Sequence, residues 1–273
     1  MSDRYALFGH PVAQSKSPRL HALFAQATAQ AMTYEAIEAP LDGFAAALAA
    51  FRASGGRGGN VTAPFKLEAF ALADELTPRA RSAGAVNTLK FENGRLLADN
   101  VDGLGLRRDI EVNLRHPLAG RRVLMLGAGG AARGALQPFL EAQPAELVLL
   151  NRTVGKAETL VAQFARSGRL TLGDRARLGE RPFDIVVNAT SASLFGQRPE
   201  IADGVFGPQT LSYELAYGKG LTPFLAQARA AGVARLADGV GMLVEQGAEG
   251  FAWWRGVRPD TQAALAALAV PIV

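Results

Sequence analysis

The chain has 273 residues, 49% hydrophobic and 20% charged, with a formal net charge of +4; these values exclude wholesale disorder and low-complexity sequence and suit two domains of ordinary size. No charge-free apolar run approaches the roughly 18 residues of a membrane span, and the opening Met-Ser-Asp-Arg lacks the apolar stretch of a signal peptide, so a cytoplasmic protein without membrane contact is expected. Cysteine is absent and the three histidines, His10, His21 and His116, are scattered, which removes thiolate chemistry and leaves neither a metal site nor, with no Lys/Arg cluster beside aromatics, a nucleic-acid partner to expect.

In chain order, Arg4 to Gly9 reads as an apolar strand. Ser17-Pro18 then starts a helix, with Ser17 as its cap and Pro18 at the first helical position. A strand over 34–38, an Ala-rich helix over 41–53, a glycine loop over 55–62 feeding a third strand, and helices over 66–73 and 78–83 follow. Residues 86–97 read as a hairpin turning at Asn93-Gly94. From residue 104 a second unit begins: a helix over 104–114, a strand over 122–126, a helix over 130–142, a strand over 146–150 and a helix over 154–167. Strands over 169–173, 184–188 and 211–216 and a helix over 222–231 complete it, an alternation that predicts a parallel sheet with helices on both faces. Helical segments over 242–255 and 261–269 lack a strand partner and are expected to fold back on the first half. The fold class is therefore α/β with two domains: a discontinuous βαβ-type domain of 1–103 and 238–273, closed by the C-terminal helices, and a doubly wound domain of 104–237.

The strand over 122–126 runs straight into Gly127-Ala128-Gly129-Gly130-Ala131-Ala132 and a helix. That is the Rossmann phosphate loop: the first glycine permits the tight turn, and the second lets the backbone approach a pyrophosphate at a helix N-terminus. A tight βα turn with no ligand is the plain alternative. NAD-binding domains place a carboxylate about 20 residues past the loop. Here that place holds Asn151-Arg152-Thr153, with Lys156 beyond: two cations and two neutral donors that suit a 2′-phosphate, so the cofactor is expected to be NADP.

Polar clusters end the strands of the first half: Ser15-Lys16-Ser17, Asn60-Val61-Thr62 with Lys66, and Asn87-Thr88 with Asn100-Val101-Asp102. Each alone reads as capping or turn chemistry. Together they place hydroxyls and carboxamides around one amine and one carboxylate, a set that suits a small polyhydroxylated molecule. A ketone reduced by hydride needs a proton on its oxygen, and without cysteine or a histidine motif the candidates are Lys66 and Asp102. Lysine serves where arginine cannot because its pKa moves on burial, and Lys66 is one of only five lysines among 29 basic residues.

These motifs, with Gly84-Ala85-Val86-Asn87-Thr88, Asn188-Ala189-Thr190-Ser191 and Asp238-Gly239-x-Gly241-Met242-Leu243-x-x-Gln246, resemble shikimate dehydrogenase in order from residue 5 to about 260. The resemblance implies NADPH-dependent reversible reduction of 3-dehydroshikimate to shikimate, in aromatic amino-acid biosynthesis. It implies Lys66 as general acid/base with Asp102 as its partner, and substrate contacts from Ser15, Ser17, Thr62, Asn87, Tyr217 and Gln246. It assigns the cofactor to Gly127, Ala128, Gly129, Gly130, Ala131, Asn151, Arg152, Thr153, Lys156, Leu215 and Gly239. The partner is thus a small molecule, and the enzyme a monomer or homodimer. Three departures stand out: Val101 where the family carries Thr, Leu215 where Met is common, and Ala192-Ser193 where Ser-Gly is frequent. A dehydrogenase that also takes quinate and uses NAD, and a non-catalytic metabolite sensor on the same fold, are the alternatives.

Overall fold

The apolar N-terminal run forms β1 (Asp3–Gly9), buried over its last five residues, and the Ser-Pro corner starts α1 (Ser17–Ala27). There follow β2 (Met32–Glu38), α2 (Phe44–Ala53), β3 (Gly56–Val61), α3 (Lys66–Leu72), β4 (Glu75–Leu76), α4 (Pro78–Ala83), β5 (Thr88–Glu92), β6 (Arg95–Asp99) and α5 (Asp102–Arg108). The second half runs β7 (Arg122–Leu126), α6 (Gly130–Glu141), β8 (Glu146–Leu150), α7 (Val154–Gln163), β9 (Leu170–Leu172), β10 (Ile185–Asn188), β11 (Leu211–Glu214), α8 (Pro223–Ala230), β12 (Arg235–Asp238), α9 (Val240–Arg255) and α10 (Gln262–Leu268). The computed structural model describes residues 2–273, and its chain divides into two compact units. The first takes the chain through Gly105 together with Leu243–Leu268; the second takes Leu106–Met242 and Ala269–Val273. Both crossings fall inside helices, α5 and α9, so by packing they come a few residues later in the chain than 103 and 237.

In the first unit the strand order is β2-β1-β3-β5-β6-β4. β1 pairs parallel with β2 and β3, β5 is antiparallel to β3 and β6, and β4 lies parallel to β6. One face buries Ala6, Phe8, Val61, Leu89 and Ala98 against Phe44, Leu48 and Phe51 of α2 and Ala69 of α3. Aromatic side chains of α1, β2 and α9 stack together: His21 lies 4.1 Å from the ring of Tyr34 and 6.3 Å from that of Phe251, and Trp254 donates to the Leu89 carbonyl at 2.9 Å.

The second unit is an all-parallel sheet in the order β12-β11-β10-β7-β8-β9, the strand order of a doubly wound dinucleotide-binding domain. Alternate residues of its strands go to opposite faces. Val123, Met125, Leu147, Leu149, Ile185 and Val187 pack with α6 and α7 residues such as Leu136, Phe139 and Leu160. Leu124, Leu126, Val148, Leu150 and Val186 pack with Phe224, Leu225 and Ala228 of α8. No helix among the described residues is long and apolar enough to cross a membrane.

Several expectations are corrected. The glycine run of 55–62 is mostly strand β3, because its neighbours approach too closely for side chains: a Cβ on Gly59 would lie 2.1 Å from the Ala6 carbonyl oxygen. Ser17 is inside α1 rather than its cap. Lys16 holds that position, and the Ser15 hydroxyl accepts the Ser17 N–H at 3.2 Å. The helix expected over 104–114 is α5 followed by a π-helical turn over Asp109–Asn113. The wider turn accompanies a buried bond, in which the Tyr213 hydroxyl donates to the Asp109 carboxylate at 2.7 Å. Strands β4 and β12 lay outside the sequence reading, and the hairpin is built as expected, with positive φ at Asn93 (51°) and Gly94 (75°).

Candidate active site

The glycine-rich β3 ends at Val61, and the chain runs through Thr62 and Pro64 to Lys66, the first residue of α3. Asp102 opens α5 after β6, and the sheet pairing of β3, β5 and β6 brings the two side chains together: Lys66 Nζ donates to Asp102 Oδ2 at 2.5 Å. Their side chains are 16% and 7% exposed, so the pair sits largely out of water yet can still be reached. The other carboxylate oxygen, Oδ1, accepts from Asn87 Nδ2 at 2.7 Å. Asn87 Nδ2 also donates to Gln246 Oε1 at 3.3 Å, which ties α9 into the same cluster. Asp102 N–H is held by Asn100 Oδ1 at 3.2 Å, and Asn100 is in turn fixed by its bond to the Ala85 carbonyl at 3.0 Å.

Four of the expected site residues, Lys66, Asn87, Asp102 and Gln246, are thus directly joined by hydrogen bonds. Ser15 and Ser17 form their own pair, with hydroxyls 3.2 Å apart. Thr62 lies against the end of β1, where a Cβ on Gly9 would meet its methyl at 2.4 Å. Val101, where the family carries Thr, is buried, and its backbone N–H donates to Asn87 Oδ1 at 2.9 Å. Tyr217, expected with the substrate residues, belongs to the second unit, on the loop after β11.

In the second unit the carboxyl ends of the strands are laced in a row. Gly127 N–H donates to the Leu150 carbonyl at 2.8 Å, Ala189 N–H to Leu126 at 2.8 Å, Leu215 N–H to Asn188 at 3.0 Å and Gly239 N–H to Ala216 at 3.3 Å. This gathers Gly127, Leu215 and Gly239 at one edge, on both sides of the point where strand order reverses, the place where such sheets bind ligands. Gly127 takes a φ of 107°, open to glycine alone, and Gly129 caps α6 with no side-chain bond and no atom within 4 Å of where its Cβ would stand. The first N–H groups of α6 therefore face open space, as a pyrophosphate requires. Past β8, Asn151 Nδ2 is bonded to the Thr153 carbonyl at 2.8 Å. Thr153 occupies the cap of α7 without using its hydroxyl on the helix, and Arg152 and Lys156 are exposed with no ion pair among the described residues. Leu150, Asn151, Val154, Leu172, Gly173, Asp174 and Arg175 line a surface depression beside them. The residues present fit a phosphorylated dinucleotide: a bare helix N-terminus for its pyrophosphate and uncommitted cations for a further phosphate.

Sequence reasoning passed over Glu214. Fully buried at the end of β11, it has its pKa raised by burial, against the opposing bonds it receives from Ser193, Ala216 N–H, Asn188 and Thr222. Ser193, one of the departures noted above, is thus tied to this carboxylate, which braces the Asn188–Thr190 loop against Gly127. A carboxylate at the end of a short strand is its mark in the sequence.

Three family models match segments of the chain: the shikimate dehydrogenase substrate binding domain over residues 7–89, shikimate / quinate 5-dehydrogenase over 111–200, and the shikimate 5′-dehydrogenase C-terminal domain over 239–269. A shikimate dehydrogenase (NADP(+)) of Nitrosospira multiformis is 56% identical over 262 residues, 96% of this chain and 95% of that protein. The crystal structure of an Ael1 enzyme from Pseudomonas putida matches with a TM-score of 0.94 at 58% identity, covering 100% of both chains. That of shikimate 5-dehydrogenase from Thermus thermophilus, in complex with NADP(H) and shikimate, matches with a TM-score of 0.87 at 33% identity, over 97% of this chain and 98% of the other.

Proposed function

The chain belongs to the shikimate dehydrogenase family, and from that premise we propose that it catalyses the reversible NADPH-dependent reduction of 3-dehydroshikimate to shikimate, a step of aromatic amino-acid biosynthesis. The observation that carries the reading is the amine–carboxylate contact of Lys66 and Asp102, held at both carboxylate oxygens and only partly shielded from water. The first unit is read as the substrate domain and the second as the cofactor domain.

Reduced NADP, when bound, supplies the hydride. Lys66 Nζ gives a proton to the ketone oxygen as the hydroxyl forms, and takes it back in the oxidative direction. Asp102 orients the amine through Oδ2 and balances its charge; Asn87 holds Asp102 and is itself bonded to Gln246, and both, with Thr62, Tyr217, Ser15 and Ser17, bind the substrate, the two serines taking its carboxylate. Gly127 to Ala131, Leu215 and Gly239 bind the cofactor's pyrophosphate and nicotinamide half. Asn151, Arg152, Thr153 and Lys156 take its 2′-phosphate, where a guanidinium can stack and bond in a fork. The enzyme works in the cytoplasm, as a monomer or homodimer. A pure sensor would have no use for an amine and a carboxylate so arranged.

The test is a spectrophotometric assay of shikimate and quinate oxidation with NADP or NAD, following the reduced cofactor. Turnover of shikimate with NADP is the expected result. Comparable turnover of quinate or use of NAD would place the chain among the broader dehydrogenases, and silence in all four pairings from a folded protein would overturn the reading.

A further inference from the structure

We propose that Thr88 is a positioning residue for this reaction: its hydroxyl, together with the Val101 N–H, holds the Asn87 carboxamide so that the NH2 group, and not the oxygen, faces Asp102. The proposal rests on the reading of Lys66 and Asp102 given above.

A carboxamide turned by half a revolution keeps its shape but exchanges a donor for an acceptor. Turned that way, Asn87 would press Oδ1 against Asp102 Oδ1, two acceptors at the 2.7 Å now spanned by a hydrogen bond. What forbids the turn can be followed outward to main-chain groups, whose donor or acceptor character cannot change. The Asn87 carbonyl oxygen only accepts, so Asn60 must turn its NH2 toward it, and does so at 3.1 Å. The same NH2 donates to Thr88 Oγ1 at 3.1 Å, leaving the single hydroxyl proton of Thr88 to point elsewhere. It points to Asn87 Oδ1, at 2.9 Å. A second fixed donor, Val101 N–H, meets the same Oδ1 at 2.9 Å. On the far side, Gln246 Nε2 is committed to the Leu243 carbonyl at 3.0 Å, which turns Gln246 Oε1 toward Asn87 Nδ2.

Asn87 Oδ1 is therefore held by two donors at once, Val101 N–H and the Thr88 hydroxyl, and the hydroxyl is aimed there because the Asn60 NH2, itself set by the Asn87 carbonyl, occupies the Thr88 oxygen. Thr88 is fully buried and Asn60 and Asn87 are 5% and 3% exposed, so water does not compete for these bonds. Tyr34 donates to Asn60 Oδ1 at 2.8 Å but adds nothing to the orientation, since the Asn87 carbonyl has already decided it.

Thr88→Val keeps the shape and removes the hydroxyl. In the shikimate–NADP assay we expect its kcat to fall about tenfold, the scale of one buried hydrogen bond. We expect its KM for NADP to stay within about twofold, and Thr88→Ser to restore kcat to within about twofold. Tyr34→Phe, which removes a bond from the same network beyond the deciding group, should likewise keep kcat within about twofold. Melting curves accompany each variant, and should Thr88→Val not fold, Thr88→Ala reads the same loss. A folded Thr88→Val with unchanged kcat, a serine variant as impaired as the valine one, or a Tyr34→Phe loss equal to that of Thr88→Val would overturn the proposal while leaving the dehydrogenase reading intact. An inactive wild-type chain would defeat both.

Discussion

Lys66 is held by one oxygen of Asp102 while the other oxygen is held by Asn87, so the carboxylate keeps its place whether or not the amine has moved its proton. Removing the amine should therefore strike the chemical step and spare binding. Lys66→Ala is expected to lower kcat by about 10²- to 10⁴-fold, the range of general acid–base catalysis, while calorimetry finds shikimate affinity changed little. Normal turnover at saturation with lost affinity would refute the role. At this scale the sequence was legible where chemistry needs a distinctive group: Lys66, Asp102, Asn87 and Gln246 were all named, and they meet. It was not legible where a common residue is used through its neighbours. Thr88 was named with Asn87 but given no role of its own, and Glu214 reads as a stray charge, because partners such as Asn60 for the one and Asn188 and Ser193 for the other are distant along the chain. Val101 shows the converse. There the contact to Asn87 comes from the main chain, which is the same whichever side chain the residue carries.

Among the elements, β3 carries the heaviest constraint. It pairs with β1 on one side and β5 on the other, and its last residues lead directly to Thr62 and Lys66. Gly59→Ala would drive a Cβ into the Ala6 carbonyl, so denaturant unfolding should show a loss of at least about 1–3 kcal/mol, the usual cost of overpacking. An unchanged midpoint would mean that β1 and β3 can part without cost. The run was read as a loop because glycine is depleted in strands; the short approach of two backbones that makes glycine necessary has no signature along the chain. The Asn93-Gly94 hairpin was legible because its turn chemistry is local. The strand β4, two residues long, and β12, four, were too short to show a period. The helix expected over 104–114 hid its π turn, since the bond from Tyr213 comes from about a hundred residues away.

For the molecule as a whole, the return of the C-terminal helices to the first unit was readable from their lack of a strand partner, whereas the points of crossing were not, because α5 and α9 run through them without a break. That return buries His21 completely. Burial lowers its pKa to about 3, with the nearby Asn60 carboxamide opposing in small part, although neither ring nitrogen has a hydrogen-bond partner of good geometry among the described residues. The unfolded chain then binds a proton that the folded one refuses between about pH 3 and 6.5, so stability falls as pH drops through that window. On this account unfolding free energy at pH 5 should be about 2 kcal/mol lower than at pH 7.5, and His21→Phe should flatten that dependence. An equal slope in the variant would assign it to other groups. The same return also sets an order of birth. Arg255 near the end of the chain grips Asp3 and Gln30 near its beginning. About 150 residues separate Gly105 from that arginine, so at ~5–20 residues per second a ribosome needs roughly 8 to 30 s to deliver it. The half of the protein made first is thus left waiting, with α1 and one face of its sheet uncovered, while the 137 residues from Leu106 to Met242 are made, an interval in which exposed apolar surface favours association of nascent chains.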